Sequence, residues 1–178
     1  MILPIYTYGN PDLQKIAFDA DPSNEDEIIK HLISDMYETM HNANGSGLAA
    51  PQVGSPVKII VIDAETANGI IFKGVFINPK ILSYFGGLYT MTEGCLSLPG
   101  IKAMVNRPGI IEMEYLDENY VQHNQKIEGL PARILQHEYD HLIGKLFIDH
   151  LDVLSKESIL IDLVNLKQKK VKTTYPII

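Results

Sequence analysis

The sequence predicts an α+β domain in which mainly antiparallel strands pack around one central metal-binding helix, with further helices near the N-terminus and the C-terminus. Helix-like and strand-like segments do not alternate regularly along the chain, which disfavours the parallel sheet of an α/β protein. Apolar residues at helical spacing predict helices at 24–42 and 130–143. Strand-like residues 110–115 and 120–122 flank the polar segment 117–119, which predicts a β-hairpin.

The remaining elements follow from local patterns. The helix at 24–42 is expected to bury one face, formed by Ile28, Ile29, Leu32, Ile33, Met36 and Met40. Residues 57–62 and 70–77 are rich in isoleucine and valine and therefore predict strands. A last helix is predicted over 156–168, with Ser155 as its N-terminal cap.

The composition is that of one globular domain spanning residues 1–178. Hydrophobic residues make up 46% and charged residues 21% of the chain, which allows a substantial core. A net charge of −7 argues against a nucleic-acid-binding protein. We expect neither a membrane span, which needs a run of ~18 apolar residues, nor a secretory leader. A single cysteine cannot form an internal disulfide, which suits a reducing cytoplasm.

The most informative segment is QHEYDH at residues 136–141. Residues four positions apart share one face of a helix, so His137 and His141 can bind the same metal ion. Glu138 would then lie beside the open coordination position, where it can take a proton from water. A helix in which two histidines recur by chance is the alternative interpretation.

Two histidines do not complete a catalytic metal site, which usually has three protein ligands. The extended protease pattern HExxHxxGxxH is followed through Gly144 but then fails, because Phe147 stands where its third histidine should be. His150 could replace that ligand only if the chain turned back. The other candidate is Cys95, the single cysteine of the chain.

Cys95 lies in the segment EGCLSLPG at 93–100, whose glycines and proline indicate a shaped turn. Such a turn could present a thiolate to a metal ion. A catalytic nucleophile with a histidine base and a small buried apolar residue are the two alternatives. The paired histidines favour the metal ligand.

A glycine-rich loop, GSGLAAPQVG, occupies residues 45–54 and loosely matches a dinucleotide-binding fingerprint. That fingerprint requires a strand before it and a helix after it, whereas a helical pattern precedes this loop and Pro51 prevents a helix from following. A turn without a chemical role is the ordinary alternative. The glycines would also let the backbone approach a ligand closely, and Gln52 offers an amide donor.

Taken together, the three segments resemble the peptide deformylase family. That family carries GxGLAAxQ, EGCxS and QHExDH in this order, and the sequence matches them without a departure at 45–52, 93–97 and 136–141. The similarity extends over nearly the whole chain. The resemblance implies a hydrolase that removes the formyl group from N-formylmethionyl nascent peptides and releases formate.

The resemblance also implies how the metal is bound. Cys95, His137 and His141 would be its ligands, and Glu138 would be the general acid and base. Ligand types alone suit zinc, whereas the resemblance implies one ferrous ion, with zinc, nickel or cobalt able to take its place. The enzyme is expected to be a monomer in the cytoplasm. Because no organellar transit extension is visible, it is expected to be bacterial.

Other positions would contact the substrate if the resemblance holds. Gln52, through its side chain, and Leu96, through its backbone N–H, would stabilise the oxyanion, and Gly47 would contact the substrate backbone. The positions that shape the methionine pocket of the family are Ser46, Met91, Leu130, Arg133 and Ile134. We expect Arg133 to contribute its alkyl stem to this pocket and to leave its charge in water.

Two other functions remain open from the residues alone. A zinc peptidase of another family is disfavoured, because no third histidine or glutamate falls at the expected position. A purely structural zinc site in a binding module would need a fourth protein ligand, and the chain has no second cysteine to supply it.

Glu93 and Arg107 are predicted to pair with each other next to the metal ligands without binding the metal themselves. A carboxylate two residues before a metal-bound thiolate needs a partner if it is buried, and Arg107 follows in the same strand region. A solvated glutamate is the alternative.

Residues 166–178 are expected to form a flexible basic tail, since KQKKVK at 167–172 contains four lysines. These could be a solvated helix end, where cations favour the helix dipole. Alternatively the tail docks near the ribosomal exit tunnel, as in related bacterial deformylases, where RNA phosphates would attract it. In that case, removal of 167–178 would leave turnover of a short formyl peptide nearly unchanged.

Overall fold

The computed structural model describes residues 1–178, apart from the side chain of Asn24. Within this part of the chain, five strands form one sheet in the order β1-β2-β3-β4-β5, with every neighbouring pair antiparallel. The strands are β1 (Gly47–Ala49), β2 (Ile59–Glu65), β3 (Ile71–Cys95), β4 (Leu98–Leu116) and β5 (Gln122–Glu128). The α-helices are α1 (Pro22–Asn42), α2 (Gly129–Leu142), α3 (Val153–Ser158) and α4 (Leu160–Lys167). Short 3-10 helices occupy Pro11–Gln14, Ala50–Val53 and Phe147–His150. The α+β prediction is confirmed.

Strand β3 is much longer than the strand predicted at 70–77, because its first part pairs with β2 and the rest pairs with β4. Residues 71–77 pair with β2, and residues 77–95 pair with β4. Four register shifts interrupt the second pairing. Such irregularities bend and twist a strand, which lets one strand change partners and end above the face of α2.

Helix α2 is the central helix that the sequence predicts. Its residues Ala132, Leu135 and Leu142 are buried in a core cluster shared with the inner face of the sheet. The helix is followed by Gly144 at a φ of +70°, and a Cβ atom there would lie only 2.4 Å from the backbone oxygen of Gln14. Glycine is therefore required for the chain to leave the helix at this point.

Helix α1 begins slightly earlier than predicted. The side chain of Asp21 accepts a hydrogen bond from the backbone N–H of Ser23 (3.0 Å), and a proline occupies the first turn. The predicted buried face is wrong at Ile28, which is 69% exposed, whereas Ile29 is buried. Adjacent helix residues point about 100° apart, so both could not lie at the centre of one face.

The hairpin between β4 and β5 is present, but its second strand starts later than predicted. The carboxylate of Asp117 accepts hydrogen bonds from the backbone N–H groups of Asn119 (2.8 Å) and Val121 (3.0 Å). These bonds hold residues 117–121 in the turn, and β5 therefore begins at Gln122.

The single C-terminal helix predicted at 156–168 is wrong, because two helices occupy this region. The cap is Asp152, which accepts from the backbone N–H of Ser155 (2.8 Å), so that α3 starts at Val153. The chain leaves helical geometry at Ile159 and continues as α4. This break turns Ile159 into the core, where it is buried with Leu163.

The end of the chain packs against the N-terminal segment. The backbone N–H of Ile5 donates to the oxygen of Pro176 (2.9 Å), and its oxygen accepts from the N–H of Ile178 (2.9 Å). The N–H of Thr7 also donates to the oxygen of Ile178 (3.1 Å). Within the predicted tail at 166–178, Pro176 and Ile178 therefore have main-chain partners in the N-terminal segment.

None of the helices in the described part of the chain combines the length and the apolar character that crossing a membrane requires.

Candidate metal centre

Cys95 ends β3 beside a tight turn. It pairs with Leu98, so that Leu96 and Ser97 form the connection between β3 and β4. The sulfur accepts hydrogen bonds from the backbone N–H of Ser97 (3.4 Å) and from Nε2 of Gln52 (3.5 Å). The turn predicted from the glycines and proline thus holds the sulfur in one direction, toward α2.

The histidines of α2 meet this sulfur. Sγ of Cys95 lies 3.2 Å from Nε2 of His141, and the ligand atoms of Cys95, His137 and His141 all lie within 4.8 Å of one another. Ligands around one tetrahedral ion are separated by roughly 3.4–3.6 Å, given metal–sulfur and metal–nitrogen bonds of about 2.3 and 2.1 Å. The three donors therefore fit a single metal ion after small adjustments.

The electrostatics of the group also suit a cation. Burial favours the neutral thiol of Cys95, but the adjacent His141 and His137 outweigh it and hold the pKa of the thiol well below its usual value. A thiolate is the form of cysteine that binds metals. Cys95 therefore offers a charged soft donor beside two imidazoles.

Glu138 lies next to these ligands without joining them. Its Oε2 atom is buried and has no hydrogen bond to any residue that the structure describes. Burial raises the pKa of this carboxyl group to about 7. Such a group can both accept and release a proton near neutral pH, which is what a general base that later acts as an acid requires.

Glu93 lies between His137 and Arg107 and contacts both side chains. Its Oε2 atom lies 2.9 Å from Nδ1 of His137, which leaves Nε2 of that ring for a metal. The carboxylate also receives two hydrogen bonds from Arg107, at 2.7 and 3.0 Å. Burial of Glu93 disfavours its charged form, but His137 and Arg107 outweigh this effect and keep the pKa well below the usual value. The structure thus places Glu93 in a buried ion pair and not in water.

His150, the alternative third ligand, is turned away from the group. Its Nε2 atom lies 2.8 Å from Oδ2 of Asp140, which also accepts from Nη1 of Arg107 at 2.7 Å. Asp140 lies within the recognised motif, but its part in this network was not predicted. The network connects the back of α2 to the same arginine that holds Glu93.

Gln52 is oriented by its neighbours. Its Oε1 atom accepts from the backbone N–H of Ala49 (2.8 Å), so that its NH2 group faces Cys95 and Ser97. Because an amide carries its donor and acceptor on opposite arms, the bond to Ala49 fixes the donor toward the site. The side chain is buried on the 3-10 helix that follows β1.

Gly47 allows β1 to lie directly against α2. A Cβ atom at this position would come within 2.7 Å of Oε1 of Glu138 and 2.8 Å of Cγ2 of Ile134. No side chain larger than hydrogen fits there without moving Glu138. This close approach supplies the physical reason for the glycine in the first motif.

A cavity of about 590 Å³ opens in front of the metal group. All the predicted pocket positions contribute to its wall: Ser46 at the exposed rim, the half-buried Met91, Leu130 and Ile134, and the buried Arg133. Ile134 lies close to Gly47, and the three apolar members line the same cavity as Cys95 and His137.

The expectation that Arg133 leaves its charge in water is wrong. The side chain is 3% exposed, and its Nη1 atom donates to Glu93 and to the backbone oxygen of Val105, both at 3.0 Å. Its Nη2 atom donates to the oxygen of Tyr89 (2.5 Å), whose ring lies beneath the guanidinium. The carboxylate of Glu93 provides the countercharge that makes this burial tolerable.

One part of the wall carries no recognisable signal in the sequence. Residues 172–175, which follow α4, also line the cavity. Their lysine and threonines indicate a surface segment. Main-chain hydrogen bonds of Pro176 and Ile178 to the N-terminal segment, together with the bond from the Tyr175 hydroxyl to Leu96, hold this segment at the site. Such contacts are not visible in a pattern of residue types.

A cysteine sulfur and two imidazoles beside a buried carboxyl group are the arrangement typical of the class of single-metal hydrolases. Within that class, the chain belongs to the peptide deformylase family. The family model described as polypeptide deformylase matches residues 2–157.

Individual relatives agree with this family over nearly their whole length. The peptide deformylase of Christiangramia forsetii is 42% identical over 187 residues, covering 98% of this chain and 94% of the relative. That of Chlorobaculum parvum is 42% identical over 179 residues, covering 99% and 94%. The crystal structure of Arabidopsis thaliana peptide deformylase 1B with an inhibitor superimposes with a TM-score of 0.85 at 38% identity, covering 94% of this chain and 92% of that one. A peptide deformylase of Acinetobacter baumannii, solved with Met-Ala-Ser bound, gives a TM-score of 0.80 at 32% identity, covering 85% and 99%.

The activity of this family is the removal of the N-terminal formyl group from newly made polypeptides. This chain is accordingly a metal-dependent hydrolase of protein biosynthesis.

Proposed function

We propose that Cys95, His137 and His141 hold one divalent metal ion and that Glu138 carries the proton of the reaction. The observation that supports this most directly is the meeting of three ligand atoms within 4.8 Å beside a buried, unpartnered carboxyl oxygen. Among the residues that the structure describes, this is the one group of three His, Cys, Asp or Glu side chains whose ligand atoms lie so close together, and Cys95 and His137 also line the cavity. A closed structural zinc site would need a fourth ligand there.

The residues divide the work of hydrolysis among them. A bound divalent ion would lower the pKa of water and polarise a carbonyl oxygen. Glu138 accepts a proton from the attacking water and delivers it to the departing amine, for which a pKa of about 7 is well suited. Gln52, through Nε2, and Leu96, through its N–H, donate to the formyl oxygen as it gains negative charge. Each such donor is worth ~3–4 kcal/mol of barrier.

The substrate is positioned by the apolar wall and by β1. Met91, Leu130 and Ile134 would surround the methionine side chain, with Ser46 at the mouth of the pocket. Gly47, which has no side chain in the way, would meet the substrate backbone. The Met-Ala-Ser peptide bound by the Acinetobacter baumannii relative supports a peptide that begins with methionine in this cleft.

Arg133 is assigned a different task from the one that its position implied. It holds Glu93, together with Arg107, and Glu93 in turn orients His137. Carboxylates that bind the distant nitrogen of a metal-bound histidine fix its tautomer and raise its basicity. Glu93, Arg107 and Arg133 therefore act on the metal through His137.

We further propose ferrous iron as the physiological ion, with zinc, nickel or cobalt able to occupy the same ligands. Metal analysis of protein purified without oxygen tests the identity of the ion. Iron near one equivalent, lost together with activity on exposure to air and restored by ferrous salt, is the expected result. A full equivalent of zinc in active anaerobic protein would contradict it.

The activity is tested with formyl-Met-Ala-Ser and with acetyl-Met-Ala-Ser as a matched control. Release of formate from the first peptide should be rapid, because the small formyl group fits between Gly47 and the metal ligands. The acetyl peptide should react far more slowly. Equal hydrolysis of internal peptide bonds would indicate a peptidase and contradict the proposal.

The enzyme is proposed to work as a monomer in the bacterial cytoplasm. One chain supplies every residue of the proposed metal centre and of its support, so no second copy is needed to complete it. Light scattering should give a mass near 19.9 kDa, the mass of one chain. A stable dimer at assay concentration would refute the monomer.

We also propose that the basic end of α4 attracts the enzyme to the ribosome near its exit tunnel. Lys167, Lys169 and Lys170 are exposed, and the described residues form no ion pair with them. Replacing these three lysines with glutamate should abolish ribosome co-sedimentation at low salt. The same replacement at the exposed Lys80, Lys126 and Lys145 is the control for net charge. An equal loss of ribosome co-sedimentation in both variants would show that net charge, and not the position of Lys167, Lys169 and Lys170, is responsible.

A further inference from the structure

The C-terminal segment forms part of the wall of the cavity in front of the proposed metal centre. Lys172, Thr173, Thr174 and Tyr175 line the cavity, while Val171 just before them packs against a core cluster. The segment is held in shape by a hydrogen bond from Oγ1 of Thr173 to the backbone oxygen of Tyr175 (2.6 Å). It is therefore a built wall of the cleft.

Tyr175 makes the key contact of this wall. Its hydroxyl group donates to the backbone oxygen of Leu96 at 2.9 Å, and its ring packs against a buried core cluster. Burial raises the pKa of Tyr175 to about 12, so that the hydroxyl stays protonated and remains a donor at neutral pH. The accepting oxygen belongs to the turn that follows Cys95.

The hydrogen bond acts on one peptide unit with two ends. The carbonyl of Leu96 and the N–H of Ser97 belong to the same planar group and point in opposite directions. That N–H donates to the sulfur of Cys95 at 3.4 Å. A bond from Tyr175 to the carbonyl end therefore also sets the direction of the donor at the sulfur end.

We propose that Tyr175 is a positioning residue of the catalytic centre, which fixes the Leu96–Ser97 peptide and thereby the hydrogen bond to the Cys95 sulfur. This inference rests on the proposed role of Cys95 as a metal ligand and adds a residue outside the recognised motifs. Hydrogen bonds to a metal-bound thiolate tune its strength as a donor. Tyr175 would thus influence the metal without touching it.

The N-terminal segment completes the same frame. The backbone N–H of Tyr6 donates to the oxygen of Gln52 (2.7 Å), and that of Tyr8 donates to the oxygen of Ser97 (2.9 Å). Ile5, one residue earlier, binds the chain end at Pro176. Both chain ends therefore brace the two loops that carry the proposed oxyanion donors.

Removal of the last residues should consequently impair the reaction itself. The expectation that a truncation at 167–178 spares turnover of a short peptide does not hold if Tyr175 positions the turn. Charge replacement at the lysines, and not truncation, is the way to separate ribosome attraction from catalysis.

The test is Tyr175→Phe, which removes the hydroxyl group and keeps the ring that forms the wall. Loss of one hydrogen bond is expected to lower kcat for formyl-Met-Ala-Ser about fivefold, the equivalent of roughly 1 kcal/mol. KM should not change, because the surface of the cavity is retained. In protein loaded with Co²⁺ alone, the sulfur-to-cobalt charge-transfer band should move to lower energy, since the sulfur loses part of its hydrogen bonding.

Tyr37→Phe is the matched control. The hydroxyl of Tyr37 donates to the oxygen of Gly74 at the same distance of 2.9 Å, and its ring packs against the same core cluster as that of Tyr175. Thermal unfolding of both variants should show similar small losses. Only Tyr175→Phe should change kcat and the cobalt spectrum.

Each other result overturns the assignment. Equal losses of kcat in Tyr175→Phe and Tyr37→Phe would show a non-specific effect of destabilising the fold. An increase in KM at constant kcat would show that the hydroxyl binds substrate, and an unchanged cobalt spectrum would show that the sulfur does not sense it. If the unaltered protein failed to release formate while the spectra still differed, the proposed function would fail and the positioning role would stand.

Discussion

Glu93→Gln is the substitution whose effect follows most directly from the structure. Glutamine has nearly the same shape as glutamate, so the change creates no cavity and removes only a charge and an acceptor. Glu93 receives hydrogen bonds from Arg107 at 2.7 and 3.0 Å and from Arg133 at 3.0 Å. It also faces Nδ1 of His137 at 2.9 Å. A glutamine side chain has one acceptor oxygen in place of two, so it can accept only some of these hydrogen bonds.

The expected magnitude comes from the charge balance of the buried network. Arg107 and Arg133 carry two positive charges, and Glu93 and Asp140 carry two negative charges, so the formal sum is 2 − 2 = 0. Glu93→Gln changes this to 2 − 1 = +1 among side chains that are 3–10% exposed. An uncompensated buried charge costs about 3–5 kcal/mol. The midpoint of thermal unfolding should therefore fall by roughly 6–20 °C.

Urea unfolding of the metal-free protein measures this loss without a contribution from metal binding. Asp63→Asn is the control, because it removes a carboxylate that pairs with Lys73 and His41 at the surface. Such surface pairs contribute only about 0–1 kcal/mol. Adding Arg133→Met to Glu93→Gln restores a formal sum of zero, so the second change should cost about 1–3 kcal/mol less than it does alone.

Two results would refute the charge argument. A loss of less than about 1 kcal/mol for Glu93→Gln would show that water or a shifted neighbour already compensates the charge. Strict additivity in the double variant would show that Glu93 and Arg133 do not depend on each other.

Three other substitutions separate the roles in the site. Glu138→Ala should reduce kcat by roughly 10²–10⁴-fold while metal content, measured on the purified variant, stays at one equivalent; loss of the metal would mean that Glu138 is a ligand. Cys95→Ser should lower metal affinity, measured by competition with a chelator, because a neutral hydroxyl is a far poorer donor than a thiolate. A variant that kept its full metal content and the normal rate of turnover would exclude Cys95 as a ligand. Gly47→Ala would place a methyl group 2.7 Å from Glu138 and should lower kcat/KM by up to about a hundredfold. Gly87→Ala is its control, since a Cβ there meets no atom within 4 Å, and equal effects of the two changes would discount the contact with Glu138.

The grouping of Cys95 with His137 and His141 could be predicted from the sequence because each part of it depends on a local pattern. His137 and His141 share a helix face at any position in any fold, and the surroundings of Cys95 describe a turn whatever lies beyond it. The antiparallel class was predictable for a similar reason, as hairpins leave short polar turns such as 117–121. The bounds of the elements were less predictable. The break between α3 and α4 at Ile159, for example, accompanies burial of that side chain in the core, which depends on tertiary contacts.

The contacts made by the chain end could not be predicted. Tyr175 and Leu96 are separated by 79 positions, and the segment around Tyr175 contains surface-type residues. Its position depends on main-chain hydrogen bonds to Ile5, which any residue type could make. No residue pattern records such a pairing.

The position of Arg133 follows from the charges around Glu93. An arginine among Met91, Leu130 and Ile134 is out of place in a methionine pocket, and a buried Glu93 beside a metal ligand needs more positive charge than one neighbour supplies once Asp140 also claims Arg107. One arrangement accounts for both anomalies: Arg133 remains part of the cavity wall, while its guanidinium group binds Glu93. Because the charge of Arg133 is paired with Glu93, the wall formed by Met91, Leu130 and Ile134 remains suited to an apolar side chain, as the proposed methionine pocket requires.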